Sequence, residues 1–184
     1  MRSLLLVFFF ALGALTPILV AQDPPKTEKG DKKAVKKYVS EEGNYKIAFP
    51  SKPRLQEKKI QTTAGETVLR MAIAEKANSA YLVNWNVMPS GTKDFDPKKI
   101  LDEAEQGVLK SSKLLTTKPV EFGPKKTPAR EVICVNQAGI HYLVLIIVTD
   151  DRLYQVLVGG SKELVASEEA KDFLKSMELT GDEK

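Results

Sequence analysis

Hydrophobic residues are most concentrated between residues 130 and 160, where three apolar runs follow one another with short polar breaks. The middle run, residues 140–148, is apolar at nearly every position, which is typical of a strand covered on both faces. Ala138-Gly139 and residues 149–151 separate the runs, and Gly159-Gly160 ends the third. The pattern predicts an antiparallel meander of three strands at the centre of a sheet.

Shorter stretches upstream alternate between apolar and polar positions, as half-buried strands do. They are residues 45–49, 54–61, 66–74 and 80–88, and the second and third are predicted to form a hairpin that turns at Ala64-Gly65. In the last stretch one face is expected to be core and the other partly exposed. The core face has Tyr81, Val83, Trp85 and Val87, and the partly exposed face has Leu82, Asn84, Asn86 and Met88.

Apolar residues recur with a helical period in two other places. The first predicted helix has Asp96 as N-cap and Pro97 in its first turn, and its apolar stripe continues to about Leu115. A short extended segment over residues 119–122 and a loop over residues 123–128 follow it. The second predicted helix has Ser161 or Ser167 as N-cap and carries Ala170, Phe173, Leu174 and Met177 toward the sheet.

This order of elements predicts an α+β fold, because no alternation of strand and helix is sustained. We expect a mainly antiparallel sheet of six to eight strands with one helix on each face, that is, an α/β/α sandwich. The length of 184 residues allows one such domain, which we place at residues 38–179, followed by a polar tail at residues 180–184.

The N-terminus has the features of a secretory signal peptide. Arg2 precedes an apolar run over residues 4–20, and the small residue Ala21 stands just before a polar segment. The sequence therefore predicts a signal peptide at residues 1–21, cleaved near Ala21, and a secreted or periplasmic location. The alternative is an uncleaved N-terminal membrane anchor, which the lysines beyond the run favour by the positive-inside rule.

Residues 22–37 are polar and rich in lysine, which predicts a flexible linker. Seven basic and three acidic residues lie within residues 1–37, and they account for the whole formal net charge of +4. A basic tail does not indicate a nucleic-acid-binding face. The linker is either a solubilising spacer or a weak contact to an anionic surface such as lipid headgroups. Its lysines are Lys26, Lys29, Lys32, Lys33, Lys36 and Lys37.

The predicted domain opens with a strand that ends in Phe-Pro, GNYKIAFPSKP, and its late run GIHYLVLIIVTDDRLYQVLVGG is followed by the helix EEAKDFLKSMEL. In these two stretches the chain resembles the PsbP-like superfamily of exported α/β/α sandwich domains. The resemblance covers residues 38–179 and rests on element order and on a few aromatic and proline positions. It implies an accessory or binding role, since members generally attach to larger assemblies, and it transfers no ligand motif to named residues.

Residues that could carry chemistry are few. The chain has one histidine, His141, and one cysteine, Cys134, so a site with two imidazoles or a zinc cluster of the usual spacing is excluded. His141 would act as a general base with Cys134 or Ser161 as nucleophile only if the fold brought them together, and Cys134 is expected to be a buried, inert thiol. We therefore predict no catalytic residue and no cofactor.

Other candidates have simpler structural explanations. Asp94 and Asp96 in a loop and Asp150-Asp151 in a turn are caps and turn residues rather than metal ligands, so no metal site is predicted. Gly159-Gly160 before Ser161 lacks the spacing of a nucleotide-binding loop. The aromatic residues that could stack on a ligand are expected in the core; they are Tyr81, Trp85 and Tyr142.

The sequence thus favours a non-catalytic binding or accessory module of the cell envelope. Its partner would be another envelope or extracellular protein. We expect the contact surface in the loops at residues 89–95 and 123–130, because loops on a rigid sheet commonly carry binding. The alternative is a hydrolase with a site of carboxylates and loop residues that no motif marks.

Overall fold

The computed structural model describes residues 37–62, 65–88 and 96–181. Within these ranges none of the helices is long and apolar enough to cross a bilayer. The strands are β1 (Tyr38–Ser40), β2 (Tyr45–Ile47), β3 (Arg54–Thr62), β4 (Gly65–Lys76), β5 (Ser79–Val87), β6 (Ser112–Phe122), β7 (Thr127–Asn136), β8 (His141–Val148), β9 (Arg152–Gly160) and β10 (Glu178–Leu179). The helices are α1 (Pro97–Leu109), α2 (Lys162–Ala166) and α3 (Glu168–Lys175).

Seven strands form the main sheet in the order β3-β4-β5-β9-β8-β7-β6, and every neighbouring pair is antiparallel. The predicted meander is β7, β8 and β9, which lie side by side near the middle of the sheet. Seven of the eight residues of β8 are buried, so both faces of this strand are covered as predicted. The predicted fold class is confirmed.

Two layers cover the main sheet. On one face α1 packs on β6, β7 and β8. On the other face α2 and α3 pack on β8 and β9, and residues of the small sheet β1-β2-β10 belong to the same hydrophobic core. Its strand β2 lies within the predicted strand at residues 45–49. The strands β1 and β10 were not predicted, because strands of two or three residues leave almost no alternation to detect.

The first helix is shorter than its apolar stripe predicts. It ends at Leu109 instead of near Leu115, and the predicted short strand at residues 119–122 is the end of the 11-residue β6. Leu114 and Leu115 continue the helical period, but they lie in β6, where they are 38% and 47% exposed. The β-branched pair Thr116-Thr117 favours the strand, and pairing with β7 overrides the helical pattern.

The second face of β5 is buried, so the prediction that it is partly exposed is wrong. Leu82, Asn84, Asn86 and Met88 are all buried. The Nδ2 group of Asn84 donates to Oε1 of Gln155 on the neighbouring strand at 3.2 Å. A polar side chain can therefore lie in this core, because a second amide supplies its hydrogen-bond partner.

The second predicted helix is two short helices. Both proposed N-caps are correct: Ser161 accepts from the N–H of Leu164, and Ser167 accepts from the N–H of Ala170. The chain therefore bends between α2 and α3 at Ser167. Ala170, Phe173, Leu174 and Met177 are buried against the sheet as predicted.

Candidate functional site

A groove of about 740 Å³ lies between the start of α1 and the outer strands β6 and β7. We call it the α1 groove. Its walls are mainly apolar, and charged side chains stand at its rim and base. Its lining includes Asp96, Pro97, Lys98, Leu101 and Glu105 from the helix, Thr117, Pro119 and Glu121 from β6, and Lys126, Pro128 and Arg130 from the hairpin and β7.

Arg130 joins the helix to the sheet at the base of this groove. Its Nη2 group donates to Oδ1 of Asp102 at 2.6 Å, and its Nη1 group donates to Oε2 of Glu105. Glu105 is only 9% exposed, so this ion pair is largely shielded from water. Hydrogen bonds from Arg130 and Lys98 lower the pKa of Asp102. The base of the groove is thus fixed by charge-assisted hydrogen bonds.

The turn between β6 and β7 forms one end of the α1 groove. The N–H of Lys126 donates to the carbonyl oxygen of Gly123 at 3.2 Å, and both residues have positive φ. A second cleft, of about 640 Å³, lies between this turn and the chain after α3. It is lined in part by Phe122, Pro124, Met177 and Leu179. The hairpin tip therefore borders two concave surfaces.

The structure describes one of the two loops in which the contact surface is predicted. In the stretch at residues 123–130, residues 126 and 128–130 line the α1 groove, and residues 123–125 and 127 line the second cleft. The stretch consists of the hairpin turn and the start of β7. The other loop, residues 89–95, lies outside the described residues.

A third concavity lies at the opposite end of α1, and we call it the Cys134 cleft. It has a volume of about 360 Å³ and is formed by Val108, Lys110, Ser111, Ser112, Cys134, Asn136, Gln137, Ala138, Tyr142 and Leu157. Burial raises the pKa of the Cys134 thiol, and a hydrogen bond with Ser112 partly opposes this shift. A thiol in this state is a weak nucleophile at neutral pH.

The suggested nucleophile and base do not come together. Cys134 lies on the face that α1 covers, opposite Tyr142, whereas His141 is opposite Val135. Successive residues of a strand point to opposite faces, so the thiol and the imidazole are on different sides of the sheet. Ser161 is the N-cap of α2.

The acidic candidates serve as caps and turns. Asp96 accepts from the N–H groups of Lys98 and Lys99, and Asp151 accepts from the hydroxyl of Thr149. Asp94 lies outside the described residues. Within the described ranges no group of three or more His, Cys, Asp or Glu residues is placed to hold a metal ion.

The three aromatic residues named above are buried, as the sequence predicts. Trp85 also has two guanidinium groups near its ring: the Cζ atom of Arg70 is 4.9 Å from the ring centroid, and that of Arg152 is 5.8 Å away. Both distances lie within the range of cation–π contacts. Trp85 therefore helps to hold the sheet together rather than to form an open stacking surface.

The sequence did not point to the ion pair under the α1 groove. Its residues are 25 and 28 positions apart, and no short motif joins them. A usable indication was present, since Arg130 stands at the start of a predicted strand, where an unpaired charge would be costly.

Comparison with protein-family models and with curated protein sequences gave no match. The structure is similar to the solution structure of cyanobacterial PsbP (CyanoP) from Synechocystis sp. PCC 6803, with a TM-score of 0.52 and 8% sequence identity. The match covers 85% of this chain and 99% of the cyanobacterial chain. The chain therefore has a PsbP-like fold.

Proposed function

We propose that the protein is an exported, non-catalytic accessory module that binds a segment of another cell-envelope protein in the α1 groove. The observation that carries the proposal is the groove itself: a large concave surface with apolar walls and a few fixed charges at its base, the usual character of a binding site. Arg130 supports a binding role, because it holds α1 against β7 and so fixes the position of one wall of the groove relative to the other.

Export is the second part of the proposal. It is supported by the basic start, apolar run and small residue near Ala21, which would leave a mature chain that begins with the lysine-rich segment. Mass spectrometry of the protein from a cell-surface or periplasmic fraction tests it. A mature N-terminus within a few residues of Ala21 is expected, and a full-length mass in the membrane fraction would favour the uncleaved anchor.

Site-specific photocrosslinking in the exported protein tests the binding surface. A photoreactive residue at Thr117, on the wall of the α1 groove, is expected to give one adduct of defined mass with one partner. The same residue at Lys58, on the opposite edge strand β3, is the control and is expected to give none. Equal adducts from both positions, or none from Thr117, would contradict the proposed surface.

A further inference from the structure

The Cys134 cleft has a buried apolar floor and a polar mouth. The floor is formed by Val108, Cys134, Tyr142 and Leu157, all of which are buried, and the mouth has Ser111, Ser112 and Gln137. A volume of about 360 Å³ lies in the range of small-molecule sites. The cleft lies at the C-terminal end of α1, where its residue Val108 is about 10 Å along the helix from Leu101 of the α1 groove.

The side chain of Tyr142 is held in place on two sides. The Nδ2 group of Asn136 donates to its hydroxyl oxygen at 3.0 Å. The Oδ1 atom of the same amide accepts from the main-chain N–H groups of Ala138 and Ile140 at 3.0 and 2.9 Å, which fixes which end of the amide faces the hydroxyl. Because the hydroxyl oxygen accepts this bond, its proton is directed to another acceptor.

The ring of Tyr142 depends on a missing side chain on the next strand. Gly159 is paired with Tyr142 across β8 and β9, and a Cβ atom on Gly159 would lie 2.9 Å from a ring carbon. The glycine therefore leaves the space that the ring occupies. The floor of the cleft is thus set by the sheet before any ligand arrives.

We propose that the Cys134 cleft binds a small, mainly apolar molecule that carries a carbonyl or carboxylate oxygen. The apolar part would pack on Val108 and Leu157, and the oxygen would accept the proton of the Tyr142 hydroxyl. Among the residues that the structure describes, Asn136 is the hydrogen-bond partner of this hydroxyl, and it acts as donor. A ligand oxygen in the cleft would accept the proton of this hydroxyl. The proposal does not rest on partner binding in the α1 groove.

Two probes of similar shape separate this inference from simple apolar binding. Acetophenone has the required oxygen, and ethylbenzene does not. In a titration followed by amide chemical shifts, both are expected to perturb residues 110–112 and 134–142, and acetophenone is expected to bind more tightly. Tyr142→Phe should weaken acetophenone binding about fivefold to tenfold, the effect of one hydrogen bond, and should leave ethylbenzene unchanged. Leu157→Trp should abolish the binding of both.

A measurement on the unaltered protein covers the case in which a variant does not fold. The Cys134 thiol is buried and its pKa is raised, so iodoacetamide alkylates it slowly, when the cleft opens and the thiol has lost its proton to water; the thiolate then displaces iodide. Bound acetophenone should slow this reaction several-fold. Unchanged alkylation, shifts confined to other parts of the surface, or equal affinity of the Tyr142→Phe protein for acetophenone would overturn the proposal.

Discussion

Arg130 is a cation on a strand face that is otherwise apolar, since Val132 and Cys134 follow it on the same side. It is tolerated because its guanidinium forms ion pairs with two carboxylates of α1, so that opposite charges are removed from water together. The same contact fixes the middle of α1 against β7. One side chain thus links the position of the helix to the shape of the candidate binding groove.

Removing this cation should destabilise the fold. Arg130→Met leaves Glu105 largely buried without its partner, and we expect a loss of about 3 kcal/mol in the free energy of unfolding. The double variant Arg130→Met/Glu105→Met should recover much of this loss, because no charge is then left buried.

Lys98→Met is the control, since Lys98 is 82% exposed in its pair with Asp102 and should contribute little. Denaturant unfolding followed by the emission of the single tryptophan, Trp85, measures all three. A small loss in the first variant would show that the pair does not hold the helix.

The amides of Asn84 and Gln155 should depend on each other. Each is buried, they share one hydrogen bond, and within the described residues Nε2 of Gln155 has no partner. Asn84→Leu or Gln155→Leu alone is expected to cost about 1 to 3 kcal/mol, because the remaining amide loses its partner. The double variant should cost clearly less than the sum of the two. Additive losses in the same unfolding assay would mean that the two amides are not coupled.

At the scale of elements, β6 is a long edge strand that has features against further pairing. It pairs with β7 alone and exposes Leu114 and Leu115, which would favour pairing with a further strand. Its register shifts between Leu114 and Thr116, and this irregularity opposes such pairing. Pro119 lacks the N–H that an added strand would use. Bulges and prolines are common means of protecting such edges.

Pro119→Val should therefore promote self-association. Valine restores a hydrogen-bond donor and favours a strand, so that a second chain can pair with β6. Sedimentation velocity over a range of concentrations should show a larger species for this variant. Pro124→Val makes the same chemical change in the neighbouring turn and should sediment as the wild-type protein does. Identical sedimentation of all three proteins would show that Pro119 does not protect the edge.

The success of the sequence interpretation differs among elements for physical reasons. The meander β7-β8-β9 was predictable, because continuous apolar runs of this length between turn residues are typical of strands that are covered on both faces. The end of α1 was not, because Leu114 and Leu115 fit a helical stripe and an exposed strand equally well, and pairing with β7 decides between them. The groove could not be predicted, since the partners of Arg130 lie in a different element and only packing brings them together.

At the scale of the whole molecule, two carboxylates near the C-terminus pair with lysines from the first half of the chain and make folding sensitive to acid. Hydrogen bonds from Lys37 and Lys46 lower the pKa of Glu178 from 4.5 to about 2, and those from Lys76 and Tyr81 lower the pKa of Glu169. A carboxylate with a lowered folded-state pKa stabilises the fold fully above its ordinary pKa, and this contribution is lost as pH falls toward the lowered value.

The free energy of unfolding should therefore decrease between about pH 5 and pH 2. Glu178→Gln removes one of the groups responsible, so its stability should depend less steeply on pH over the same interval. Denaturant unfolding at a series of pH values gives both slopes. Parallel curves for the two proteins would show that the contacts of Glu178 with Lys37 and Lys46 do not favour its charged form.

The charge distribution makes one segment the candidate for a contact with anionic surfaces. The basic excess lies within residues 1–37, so the remainder of the chain is close to neutral. Lys37, the last residue of the predicted linker, is already paired with Glu178, so a deletion should stop at residue 36 to leave the domain intact.

If the linker is a contact to lipid headgroups, the mature protein should sediment with phosphatidylserine vesicles at low salt and should not do so at high salt. Deletion of residues 26–36 should abolish this binding without changing the unfolding midpoint. Equal sedimentation of the deleted protein would place the contact on the folded domain, and no sedimentation of either protein would leave the linker as a solubilising spacer.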